Sequence, residues 1–158
     1  MKHMKNLAWI HRDRRERYND YDIDEKFRMV YLLKKYFGLT AVTDEVLFFD
    51  RTTHKRVFVD QSKYESKQEL VRHYYVHYPD LLIKNHKPVI AVEIDGDVHW
   101  QNTKALKQTN KRNEHYEAGG IKILWLTKND VLVKDQSDLI LNVAGKLGLS
   151  ARVTNDSD

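Results

Sequence analysis

Three acids interrupt two apolar runs in the stretch YPDLLIKNHKPVIAVEIDGDVHW, residues 78–100. Asp80 precedes the run LLI, and Glu93 and Asp95 alternate with apolar residues in IAVEID. The polar NHKP between the runs reads as a hairpin turn. A turn centred between His86 and Lys87 pairs Ile83 with Ile90, Leu82 with Ala91 and Leu81 with Val92. The next opposed pair is Asp80 with Glu93. Opposed residues share a face of the sheet, with Cβ atoms about 4.5–5.5 Å apart. Side chains alternate along a strand, so Asp95 joins Glu93 on that face. Leu81, Ile83, Ile90, Val92 and Ile94 then form the opposite, core-facing side. Like charges directly opposed repel, and carboxylates among apolar neighbours lose hydration. A hard divalent cation such as Mg²⁺ would offset both, because it takes carboxylate oxygens and keeps water and phosphate as further ligands. The plainer alternatives are a slipped hairpin register, or neutralisation by basic neighbours such as Lys84 or Lys87.

Other elements must hold this hairpin in place. In DIDEKFRMVYLLKKYFG, Phe27, Val30, Leu33 and Phe37 recur at helical spacing, with Asp24 as a cap and Gly38 as a stop. VLFF and RVFV read as two strands around the polar DRTTHK, or the first as a short helix. KYESKQELVRH is a short helix or irregular, and YYVHY is a tyrosine-rich strand leading into Pro79–Asp80. After the hairpin, NTKALKQTNKRNEHYEAGG reads as a helix stopped by Gly119–Gly120. IKILWLT is a buried strand with Trp125 in the core. SDLILNVAGKLG is a last helix with Ser137 as cap and Gly148 as stop. This order predicts one mixed α/β domain over residues 1–150, opening with a helical extension over about residues 1–40. Residues 151–158 are expected to be a disordered tail.

Lys104, Lys107 and Lys111 fall on one face of the helix after the hairpin, with Arg112 beside them and His115 following. Such a stripe is either a solvated face or a contact for a phosphate backbone. The charged HRDRRERYNDYD near the N-terminus reads more simply as a solvated arm. Trp100 either packs beneath the acids or stacks on a base.

A chain of 158 residues suits a single domain, and 41% hydrophobic with 32% charged residues is the balance of a globular protein. The formal charge of +4 favours an anionic partner only mildly. The chain has no cysteine, which excludes a disulfide scaffold, a thiolate zinc site and a cysteine nucleophile. That composition fits an intracellular protein. No apolar run approaches the roughly 20 residues of a membrane span, and MKHMKNLAW lacks the apolar stretch of a signal peptide.

Pro79–Asp80, a gap, and then Glu93-x-Asp95 resembles the motif of the PD-(D/E)XK nuclease superfamily, the restriction-endonuclease-like fold. VEIDGDVHW is similar to the E-x-D-G-x-x-H version of the very-short-patch-repair-like families. In those families a basic helix, a small-residue turn and an apolar strand follow, as KALKQTNKRNEHYEAGGIKILWL does here. The resemblance runs from about Tyr74 to Leu126. It implies an α/β restriction-endonuclease-like core, a central mixed β-sheet flanked by helices. It also implies a nuclease dependent on Mg²⁺ or Mn²⁺ that hydrolyses DNA, an endonuclease of DNA processing, repair or recombination. Asp80 and Glu93 would be metal ligands, joined by the backbone carbonyl of Ile94. His99 matches the family histidine and would orient water, transfer a proton or contact phosphate. Asp95 departs from the pattern, standing where much of the superfamily has lysine. It would hold a metal-bound water or a second ion, and any one of Lys104, Lys107 and Lys111 would replace the missing lysine, with Arg112 beside that stripe. These four residues are also the expected DNA contacts, and a homodimer is the common form when both strands are cut. The departure at Asp95 keeps a second reading open, a nucleic-acid-binding module on the same fold with little or no catalysis.

Overall fold

Residues 20–95, 103–132 and 135–152 are described in the computed structural model of the chain. Helix α1 (Asp20–Phe37) ends where Gly38 takes the left-handed conformation, φ 67°, which glycine reaches without a Cβ clash. Met29, Leu32 and Leu33 form its buried side, whereas Phe27 is 64% exposed. The apolar stripe is therefore rotated from the one expected through Phe27. The helix also starts ahead of Asp24, which is an interior residue and not the cap.

Strands β1 (Ala41–Val42), β2 (Leu47–Asp50) and β3 (Arg56–Val57) follow, then helix α2 (Lys67–His73) and strand β4 (Tyr74–His77). Ser66 starts α2 by accepting a hydrogen bond from the Glu69 N–H. The hairpin is β5 (Leu81–Ile83) and β6 (Ile90–Asp95). Helix α3 (Thr103–Ala118), strand β7 (Lys122–Thr127), the short helix α4 (Lys128–Leu132) and helix α5 (Gln136–Leu147) complete the order. The residue preceding α5 is Asp135, not the expected Ser137, and Gly148 closes the helix at φ 67°. Ala151 and Arg152 are not part of a loose tail: the Arg152 N–H donates to the Tyr36 carbonyl at 2.6 Å. Residues 1–19 and 153–158 lie outside the described residues, including Trp9 and all of the charged HRDRRERYNDYD except its last three residues, which open α1.

The strands form two sheets. A mixed four-stranded sheet runs β1-β5-β6-β7, and an antiparallel three-stranded sheet runs β3-β2-β4. The hairpin register is the one that the turn arithmetic requires: Leu81 with Val92, Leu82 with Ala91 and Ile83 with Ile90. β6 and β7 are parallel, and α3 is the crossover that such a pair needs. The tyrosine-rich strand β4 belongs to the second sheet, paired with β2.

Both faces of the main sheet are buried. One packs Leu81, Ile83, Ile90, Val92 and Ile94 against α1, α4 and α5 through Leu33, Val131, Leu139 and others. The opposite face is not left to solvent. Leu82 and Ala91 pack there against Tyr116 of α3 and against Leu47 and Phe49 of β2. The acids share that second face, so their side of the hairpin is a core of its own, in place of the single core-facing side expected.

Gly119 lies at the seam of this second core. A Cβ there would stand 2.6 Å from the Phe49 ring, which is fully buried. Gly119→Ala is expected to cost about 1–3 kcal/mol by overpacking. Urea unfolding would show a lower midpoint with an unchanged slope. Among the described residues, no helix is long and apolar enough to cross a membrane.

Candidate active site

The hairpin delivers its acids to one place. Asp80, Glu93 and Asp95 each present a carboxylate oxygen within 4.8 Å of the others. Asp80 precedes β5 and is anchored across the hairpin, where its Oδ2 accepts the Ile94 N–H at 2.7 Å. Glu93 and Asp95 are two residues apart on β6, and both are buried.

Helix α3 lies over the acids. Arg112 and Tyr116 are one helical turn apart, so both point the same way. The Tyr116 hydroxyl donates to Glu93 Oε1 at 3.0 Å. Arg112 reaches both strand acids, with Nη1 3.4 Å from Glu93 Oε2 and Nη2 3.6 Å from Asp95 Oδ2. From the other side, α1 contributes Lys26, whose Nζ is 3.9 Å from Asp80 Oδ1. Lys84 has a different partner, Glu45, at 2.6 Å, and Lys87 is exposed in the turn. The neighbouring cations are thus from distant segments and not from the hairpin turn.

Burial sets the electrostatics. It raises the Asp80 pKa, against the opposing Ile94 hydrogen bond and the Lys26 charge. It pushes Glu93 up to about 8, although Arg112 and the Tyr116 hydroxyl both favour the ionised form. Burial also acts against the charge on Arg112, but Glu93 and Asp95 together outweigh it and its pKa is raised. Tyr116 is held well above its ordinary value by burial and by Glu93. Burial thus favours the protonated form of Glu93 in the metal-free fold.

The donor set suits a hard divalent cation. It consists of carboxylate oxygens, and Arg112 and Lys26 meet them as ion pairs at 3.4–3.9 Å, longer than the usual hydrogen bond. Ile94 and Tyr116 each hold one oxygen of a carboxylate, the kind of outer contact that orients a ligand. Asp80, Glu93 and Asp95 are the residues that would hold such an ion.

The structure places the other expected residues differently. Lys104, Lys107 and Lys111 are exposed on α3. Arg112, expected beside that stripe, instead turns inward with a side chain only 14% exposed. Ile94 offers its N–H to Asp80 while its side chain sits in the main core. Trp125 is opposite Glu93 in the β6–β7 register and is half-buried. His99 and Trp100 lie outside the described residues. Lys26 and Tyr116 were not foreseen. Tyr116 could have been found from its four-residue spacing to Arg112, but no local signal marks Lys26.

Compared with protein-family models, with curated proteins and with solved structures, the chain finds no match.

Proposed function

We propose that the protein is a Mg²⁺- or Mn²⁺-dependent nuclease of restriction-endonuclease-like fold that hydrolyses DNA phosphodiester bonds. The observation that carries this reading is the convergence of Asp80, Glu93 and Asp95 on one buried point with Arg112 against them. Burying three carboxylates together is costly even with Arg112, Lys26, the Tyr116 hydroxyl and the Ile94 N–H beside them, and a bound cation would offset that cost. The bound metal would polarise the phosphate and lower the pKa of a water. Asp80 and Glu93 would hold it, oriented by the Ile94 N–H and the Tyr116 hydroxyl. Arg112 would then supply the positive charge that lysine brings in much of the superfamily, and meet the negative charge on the phosphoryl oxygens in the transition state. Asp95 serves as an anchor for Arg112 and as a further oxygen donor.

One observation favours a second reading. Arg112 lies between Glu93 and Asp95 and offsets them without any metal, as a binding module with little catalysis would require. Supercoiled, linear and branched DNA incubated with Mn²⁺, with Mg²⁺ or with EDTA separates the two. Metal-dependent cleavage of any of the three is expected. Retained DNA binding with no cleavage under either metal would favour the module.

A further inference from the structure

A groove of about 470 Å³ lies between strand β4 and helix α3. Its described lining includes Arg51, Lys67, Lys111 and Arg112 and no carboxylate. Two of these cations converge on one ring. The Arg51 guanidinium sits 4.4 Å from the centroid of Tyr75, and Lys111 Nζ sits 5.3 Å from it. Tyr75 stacks in turn on His115, with ring centroids 4.0 Å apart and planes 25° apart. Arg51 Nε donates to the Val71 carbonyl, which fixes the guanidinium in place.

Arg112 links the groove to the acids. It lines the groove and also reaches Glu93 and Asp95. A ligand lying in the groove therefore reaches Arg112, the side chain that also touches Glu93 and Asp95. Positive charge without carboxylates selects an anion. Guanidinium and ammonium groups set on aromatic rings are the pairing that holds phosphates and flat bases along a single strand. The volume is that of a small-ligand pocket, room for one or two nucleotides but not for a duplex.

We infer that this groove binds a single-stranded segment of nucleic acid, with Arg51 and Lys111 on its phosphates, and leads the strand past Arg112 to the acids. For the cleavage step it rests on the nuclease reading, and it narrows the substrate class to DNA with an unpaired segment. The binding step stands independently. The exposed lysine face of α3, Lys104 and Lys107, lies off the groove and is not its main contact.

Fluorescence anisotropy in EDTA, where no metal-dependent cleavage occurs, tests the inference. The probes are a labelled short oligo(dT) and a blunt hairpin duplex of the same length. The intact protein is expected to bind oligo(dT) more tightly than the duplex. Arg51→Ala with Lys111→Ala should weaken oligo(dT) binding by about tenfold or more and flatten its salt dependence. Lys111→Glu alone should do so too, and because both side chains are exposed the variants should keep the parent's melting temperature. Lys104→Ala with Lys107→Ala should change affinity by less than about threefold. Equal or greater loss in that second pair, no loss in the first, or a duplex bound as tightly as oligo(dT) would overturn the groove. If oligo(dT) binds through Arg51 and Lys111 but no DNA is cleaved with metal, the nuclease reading fails and the groove stands. If plasmid is cleaved while the Arg51 and Lys111 variants bind oligo(dT) normally, the groove alone fails.

Discussion

Glu93→Gln is expected to yield a protein that is more stable than its parent at pH 8.5 and has lost its metal-dependent cleavage. The stability half follows from linkage. Burial raises the folded-state pKa of Glu93 from its ordinary 4.5 to about 8. A raised acid stabilises the fold fully below its unfolded pKa, and that contribution is lost as pH rises through the folded pKa. Between about pH 4.5 and pH 8 the parent thus loses stability from this one group, on the order of 4 kcal/mol. Glutamine has no proton to lose, keeps an oxygen for the Tyr116 hydroxyl, and removes that slope. Chemical denaturation at pH 5 and at pH 8.5 should give similar midpoints for the two proteins at the lower pH. At the higher pH the variant should unfold at more denaturant. A parent curve with no pH dependence over this range would sink the assignment of a proton to Glu93.

The functional half uses the same residue in the opposite sense. A metal binds the carboxylate and not the acid, so binding must displace the Glu93 proton. Mn²⁺ should therefore raise the melting temperature of the parent more at pH 8.5 than at pH 6, and should do little for Glu93→Gln. Cleavage should fall by about a thousandfold or more, because the lost interaction is charge stabilisation at the reacting phosphate. Asp80→Asn should behave alike in the cleavage assay. Full activity in either variant would remove both residues from the proposed site. Under the proposed function the same acids would weaken the metal-free fold and strengthen the metal-bound one.

How much of this was legible in the sequence depends on the range of the interactions. The hairpin register could be read because a short turn sets it, and the placement of Asp80 across from the Glu93 strand followed. Helix α3 and its stop were readable from periodicity and from Gly119–Gly120. The rotation of α3 about its own axis was not, and it is that rotation that turns Arg112 inward while leaving Lys104, Lys107 and Lys111 outside. A basic stripe looks alike on either side of such a rotation. In α1 the periodic apolar residues admitted two faces, and the one through Met29, Leu32 and Leu33 is buried. That choice brings Lys26 to Asp80 across 54 positions of chain. The second sheet was missed for a similar reason. β4 could have continued into the hairpin, and only its pairing with β2 places it elsewhere.

Arg112→Ala should separate the two roles open to that side chain. Its loss leaves Glu93 and Asp95 without their common cation, and removing one member of a buried ionic cluster costs about 3–5 kcal/mol. The cost should be smaller at pH 5, where Glu93 carries its proton, than at pH 8.5. Mn²⁺ should restore part of the loss, since a divalent ion replaces the missing charge. If Arg112 also meets the phosphate, restoring stability will not restore cleavage, which should stay about a thousandfold down even at saturating Mn²⁺. Arg112→Lys should recover part of the stability but little activity, because one ammonium cannot both hold Glu93 and Asp95, as the two guanidinium nitrogens do, and meet the phosphate. If Arg112 merely offsets the acids, Arg112→Ala will bind Mn²⁺ more tightly and cut as well as its parent. Cleavage rates measured beside melting temperatures at the same Mn²⁺ concentrations decide between these outcomes. A charge that only stabilises the fold can be replaced by the ion, whereas one that stabilises the transition state cannot.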